Sequence, residues 1–264
     1  MRRATRRSPE RPRPARAAEG QVEITRGGGC VTATLVRPEA RNRLSTAMAG
    51  RLVELAEEVE DDADALILVI RGAGGNFCAG FDDDVDDAVP VVVESIAVLS
   101  KPTLAVIEGV AADEGTELAL AADLRLAARS ARFTMGQLGS GRMPRFGGTQ
   151  RLPRLIGAAQ ALRMLLTGAA IDGSEAMRLG LVTYLGRNHG AVERALGEVV
   201  ASVTSRGPVA TRLAKEAVRK GCDLTLDQGI RLEEDLYALL QTTADRAEGV
   251  RAFLDKRKPL FRGA

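Results

Sequence analysis

The sequence predicts an α/β fold with mostly parallel strand pairing. Three observations predict it. Short continuous apolar runs, ALILVI (65–70) and TLAVIEG (103–109), read as buried strands. Each runs into a glycine-bearing loop. Apolar residues at helical spacing lie between the strands, so strand, loop and helix alternate.

The elements follow in order. VEIT and VTATLV alternate on either side of Gly27-Gly28-Gly29, the pattern of a β-hairpin. The polar connector RPEARNRLS leads to Ser45, which can cap a helix carrying Met48, Leu52, Leu55 and Val59 on one stripe. The acidic stretch EEVEDDADA closes that helix before the strand at 65–70. A second helix is expected over 90–99, and another starts near Gly115 after the strand at 103–109. LRLAA (124–128) and ARFTM (131–135) read as short strands, and beyond about 153 the chain looks largely helical. ATRLAKEAVRK and DQGIRLEEDLYALLQ are amphipathic helices whose apolar faces can bury against the core or another subunit.

Composition narrows the function. The 264 residues are 45% hydrophobic and 27% charged, an ordinary globular balance. No apolar run approaches the ~20 residues of a membrane helix. One histidine, His189, excludes sites built on several histidines. Cys30, Cys78 and Cys222 are far apart and odd in number, which argues against a disulfide scaffold or a CxxC site and fits a reduced, cytoplasmic setting. The net charge is +2, but residues 1–18 hold seven Arg against one Glu, leaving a body of −4 that does not advertise nucleic-acid binding. Residues 1–19 are expected to be a disordered leader, with an electrostatic arm or a transit peptide as the alternatives.

Two glycine loops, Gly72–Gly80 and Gly109–Gly115, each follow a buried strand. Loops at neighbouring strand ends can aim two backbone amides into one cleft and stabilise an oxyanion. Neither the GxGxxG dinucleotide pattern nor the GxxxxGK[ST] phosphate loop is present. A glycine turn alone is equally well only a turn.

At these loops a resemblance emerges. Phe77-Cys-Ala-Gly-Phe-Asp82 resembles the F-x-A-G-x-D signature of the crotonase (enoyl-CoA hydratase/isomerase) superfamily. Arg37-Pro-Glu-Ala-Arg-Asn42, Lys101-Pro102, Gly147-Gly-Thr-Gln-Arg-Leu152 and Lys256-Arg-Lys-Pro259 with Phe261 match its further motifs in order, over about residues 20–262. The resemblance implies a crotonase-like spiral of ββα units over 20–205 and a helical trimerisation region over 206–264. It implies an acyl-CoA thioester substrate, no metal or separate cofactor (coenzyme A arriving as part of the substrate), and assembly as a homotrimer or a dimer of trimers. No nucleic-acid or membrane partner is implied.

Carried over by position, the oxyanion donors are the amides of Ala79 and Glu114, and the catalytic positions are Glu117, Gln137 and Glu114. Contacts to CoA fall on Arg41, Ala79, Phe81, Asp82, Lys256 and Lys258. Gln137 stands where a hydratase carries its second carboxylate; it can orient water but cannot accept its proton. Atypical hydration, isomerisation or decarboxylation therefore fits as well as simple hydration, and a catalytically degenerate homologue with a binding or assembly role is the alternative. Glu114 stands where the family has glycine. Its side chain can point away, be protonated beside Glu117, or disable the hole. The stretch from Gly80 to Lys101 is short and holds Asp82, Asp83, Asp84, Asp86 and Asp87, either a lip of the acyl pocket or a solvated acidic loop.

Other residues carry two readings each. Glu117 can serve catalysis or merely favour a helix start. Cys78 is a nucleophile or a small buried apolar residue. Arg142 and Arg145 contact a substrate anion or stand as rim charges. Lys256, Arg257 and Lys258 meet CoA phosphates or favour a helix C-terminus. His189 reads as a surface-loop residue, with nothing to place it near Ser140, so the Ser/His pairing of a Clp-type peptidase, which shares the fold, is not supported.

Overall fold

The computed structural model describes residues 19–82, 85 and 91–264. All but the last residue of the expected leader, and Asp83, Asp84, Asp86 and Asp87, lie outside the described residues.

The hairpin expected at the start is β1 (Gln21–Gly27) and β2 (Cys30–Val36), antiparallel with Gly27 opposite Cys30. Every second residue of β2, Val31, Ala33 and Leu35, points into the core, as a half-buried strand requires. Ser45 caps α1 (Thr46–Asp61) by accepting from the Met48 amide, and Met48, Leu52, Leu55 and Val59 are buried along its stripe. Each such side chain is worth roughly 1.5–3 kcal/mol once removed from water. Lys101, itself buried, donates its Nζ to the Val59 carbonyl (2.5 Å) and the Asp62 carbonyl, closing the C-terminal end of α1.

Next come β3 (Ile67–Gly72), α2 (Val91–Val98), β4 (Thr103–Ile107), β5 (Val110–Ala112) and α3 (Glu114–Ala121). Then follow β6 (Leu124–Ala128), β7 (Arg132–Thr134), α4 (Gly148–Ile156) and α5 (Ala158–Thr167). The spiral closes with β8 (Ile171–Asp172), α6 (Gly173–Leu179), β9 (Tyr184–Gly186) and α7 (His189–Thr204). A six-stranded sheet runs β1-β2-β3-β4-β6-β9, parallel from β2 onward, and a three-stranded sheet runs β5-β7-β8. One face of the large sheet packs on the main core with α1 and α2; the other packs Ile67, Val69, Leu104 and Val106 against Val192 and Val199 of α7. The segment read as a loop after 109 thus contains β5. The half read as helical begins its first helix at Gly148 and includes β8 and β9, strands of two and three residues whose brevity leaves no periodicity to detect.

The last three helices are α8 (Pro208–Gly221), α9 (Leu226–Gln241) and α10 (Ala244–Leu254). Neither α8 nor α9 has a buried residue. α8 is tied to the spiral through Asp123, which pairs with Lys215 at 2.7 Å and Arg219 at 3.0 Å. Among the described residues no helix is long and apolar enough to cross a membrane.

Candidate active site

Parallel pairing of β3 with β4 brings both glycine loops to the same end of the sheet. The loops then bond to each other: the amides of Phe77 and Cys78 donate to the Val110 carbonyl, and that of Ala112 to the Cys78 carbonyl. The contact is close enough that a Cβ on Gly115 would lie 2.1 Å from the Cys78 oxygen, so only glycine fits there. Asn42, from the R-P-x-x-x-N connector, locks the first loop. Its Nδ2 donates to the carbonyls of Ala73 and Asn76 at 2.8 Å, and its Oδ1 accepts from the Arg37 amide at 2.9 Å.

Two carboxylates leave the first turn of α3. Glu117 is fully buried. Its Oε1 accepts from the amides of Phe146 and Gly148, both at 2.8 Å, and its Oε2 accepts from Gln137 Nε2 at 3.3 Å. The Gly147-Gly-Thr-Gln-Arg-Leu152 motif therefore supplies one of the amides that hold the acid, and Arg151, donating to the Phe146 carbonyl at 2.6 Å, steadies that turn. Burial raises the Glu117 pKa, with the Glu114 charge adding to it; the backbone amides of Gly148, Phe146 and Arg145 oppose the shift without cancelling it. Gln137 is also buried, and its Oε1 has no partner among the described residues.

Glu114 is turned inward. Its Oε1 pairs with Arg142 Nη1 at 2.7 Å and its Oε2 lies 3.5 Å from the Phe81 amide nitrogen. Arg142 also donates from Nε to Ser140 Oγ at 3.2 Å and approaches Asp113 Oδ2 at 3.7 Å. Arg142 is exposed, as a rim charge is, and pairs with Glu114 within the chain. Arg145 lies 4.9 Å from the Phe146 ring centroid.

One donor assignment needs correcting. The Ala79 amide donates to the Arg41 carbonyl at 3.0 Å, so it is already spent. Gly80, at φ 109°, turns the backbone, and the amide of this turn that faces Glu114 is that of Phe81. The sequence signal that could have identified it is the β-branchless glycine itself, which reorients the peptide that follows. The Glu114 amide, in the open first turn of α3, has no acceptor among the described residues.

The remaining candidates are less central. Asp82 pairs with Arg37 at 2.5 Å and with Arg43 at 3.4 Å, a structural duty. Arg41 is an exposed residue at φ 52° whose carbonyl, not its side chain, meets the loop. Lys256 and Lys258 are exposed beyond α10, on the C-terminal region rather than on either loop. The Cys78 thiol is fully buried, donates to the Gly80 carbonyl at 3.3 Å and is pushed up to about 12 by burial, which removes it as a nucleophile. His189 is not in a loop: it begins α7, with Nδ1 3.0 Å from Glu108 Oε1. Glu108, His189 and Glu193 have the spacing to share a cation, but the Arg71 guanidinium already meets Glu193 at 2.7 Å and Glu108 at 3.5 Å. Cavities of about 170 and 160 Å³ open elsewhere, beside Lys101 and α8 and between α8 and α10.

Comparison with known proteins places this geometry. Residues 25–264 match the family model described as enoyl-CoA hydratase/isomerase. The chain is 34% identical over 253 residues to the 2,3-dehydroadipyl-CoA hydratase of Escherichia coli, covering 92% of this chain and 99% of that one. It is 35% identical over 251 residues to the mitochondrial methylglutaconyl-CoA hydratase of Rattus norvegicus, covering 89% and 80%. The crystal structure of an enoyl-CoA hydratase from Bacillus anthracis superposes with a TM-score of 0.88 at 34% identity, covering 92% of this chain and all of that one.

Proposed function

This chain belongs to the enoyl-CoA hydratase/isomerase family, and on that premise we propose that it moves a proton at the acyl carbons of a CoA thioester, with Glu117 as its acid–base group. The observation that carries this reading is the setting of Glu117. It is a buried carboxyl with a raised pKa, fixed by two backbone amides at one oxygen and by Gln137 at the other. A raised carboxyl pKa brings proton donation and acceptance nearer to neutral pH, where general acid–base catalysis is most effective. The amides of Phe81 and Glu114 are the pair that would receive the thioester oxygen as negative charge develops on it.

Gln137 determines which chemistry fits. With a single carboxyl, a proton can be passed between neighbouring carbons or returned to an enolate left by decarboxylation. Hydration would require a water held by the unpartnered Gln137 Oε1 and deprotonated by Glu117 alone. The relatives act on different acyl groups, a dehydroadipyl and a methylglutaconyl chain, so they support a CoA thioester without narrowing the acyl group.

The direct test is exchange of the α-protons of butyryl-CoA in D₂O, read by mass spectrometry. The wild type should incorporate deuterium, and Glu117→Gln should slow incorporation by roughly 10²–10⁴-fold, the usual contribution of a positioned acid–base group. A second reading, a non-catalytic family member that retains binding, is favoured by one observation: the Glu114 carboxylate stands at the Phe81 amide. No deuterium uptake together with measurable butyryl-CoA binding would establish that reading.

The exposed apolar side chains of α9, Leu226, Ile230 and Tyr237 among them, support assembly through the 206–264 region as a homotrimer or a dimer of trimers. Sedimentation of the full chain should give a multiple of three; Leu226→Lys with Ile230→Lys should reduce it to the 28.0 kDa protomer. A wild-type protomer at micromolar concentration would end the assembly proposal.

A further inference from the structure

We propose that the Glu114 side chain is an internal occupant of the thioester-oxygen position, held there by Arg142, so that the protein controls acyl-CoA binding by how often this carboxylate leaves. The inference rests on the acyl-CoA reading above and adds a specificity-determining residue to it.

The two oxygens of Glu114 divide their contacts between the two sides of the space. Oε2 faces the first loop: it is 3.5 Å from the Phe81 nitrogen and 2.9 Å from where a Cβ on Gly80 would stand. Oε1 faces the second side, 2.7 Å from Arg142 Nη1. The side chain is only 8% exposed, so it fills the gap between the loops instead of fringing it. Its charge is also felt by the groups behind: it contributes to the upward shifts of Glu117 and of Cys78.

A carboxylate oxygen at an amide that would receive an enolate oxygen is a chemical stand-in for it. Both are anionic acceptors seeking the same N–H. Because Glu114 is covalently attached one residue from Asp113 and Gly115, it competes at a high local concentration that no dissolved ligand matches. Arg142 sets the strength of that competition. Its guanidinium is itself aimed by Ser140 Oγ at 3.2 Å and by Asp113 Oδ2 at 3.7 Å, so the clamp is oriented before Glu114 reaches it. A thioester gains access only in the fraction of molecules with Glu114 displaced, and its apparent affinity falls by that fraction.

The test is titration of butyryl-CoA, with free CoA as the control, into wild type, Glu114→Gly and Glu114→Gln by calorimetry. Glu114→Gly keeps the backbone amide and removes the occupant; Glu114→Gln keeps the shape and removes the charge, and it decides the matter should the glycine variant fail to fold. Butyryl-CoA should bind at least about tenfold more tightly to Glu114→Gly and severalfold more tightly to Glu114→Gln, while free CoA, lacking the thioester oxygen, changes by less than twofold. Equal or weaker butyryl-CoA binding by the variants, with CoA bound by all three, overturns the occupant alone. Failure of all three to bind either compound overturns the acyl-CoA reading and this inference with it.

Discussion

Glu117 and Glu114 leave the same first turn of α3 and end in opposite kinds of surroundings. Glu117 is enclosed by neutral donors, backbone amides of the 145–148 turn and a glutamine. Glu114 meets a guanidinium on one side and a single amide at longer range on the other. Burial among neutral dipoles leaves a carboxyl able to exchange its proton, because nothing nearby compensates its charge in full. A charged partner instead fixes a carboxylate as a space-filling group with a definite orientation. Three residues of spacing separate a carboxyl held by neutral donors from one paired with a guanidinium.

This contrast can be sharpened on the Glu117 side. Gln137→Glu would set a second carboxyl against Glu117 Oε2, where Gln137 Nε2 now donates at 3.3 Å. Two carboxyls at that separation share one proton more readily than they both ionise, which supplies the acid–base pair that hydration uses. Hydration of crotonyl-CoA should rise by about tenfold or more, a conservative share of the 10²–10⁴ that such a group provides. An unchanged rate would mean that Gln137 does not face the reacting carbons.

A smaller effect tests the same contrast through stability. The folded-state pKa of Glu117 is raised. A carboxyl of this kind stabilises the fold when protonated; its contribution is complete below about pH 4.3, the unfolded value, and is lost as pH rises through the folded value. Glu117→Gln does not titrate, and Gln137 can turn its free Oε1 toward the new amide. The Tm of wild type relative to this variant should therefore fall between pH 4 and pH 8, by roughly 2–4 °C for each 1 kcal/mol. A difference that does not change with pH would place the Glu117 pKa at its ordinary value.

Much of the spiral is legible in the sequence, because its elements are long enough to display a period. Ser45 and the stripe from Met48 to Val59 define α1, and the apolar runs define β3 and β4. The fold class and the order of the motifs follow from these. The strands β5, β8 and β9 are set by pairing with distant partners, which a local pattern does not carry. Glu117 and Gln137 are picked out together by their positions in the motifs, and their side chains meet at 3.3 Å. What was not legible is direction. Which amide of Ala79-Gly80-Phe81 faces the space depends on a single φ at Gly80, and where Glu114 points depends on Arg142, 28 residues along the chain.

Cys78 and Cys222 have a practical consequence. A thiol that titrates near 12 stays protonated at any working pH and is shielded from reagents. Cys222, which closes α8, is exposed. In a Cys30→Ser background, which removes the half-buried thiol of β2, a maleimide dye should thus label the turn between α8 and α9 while sparing the loop behind Phe81, giving an optical probe of the helical region.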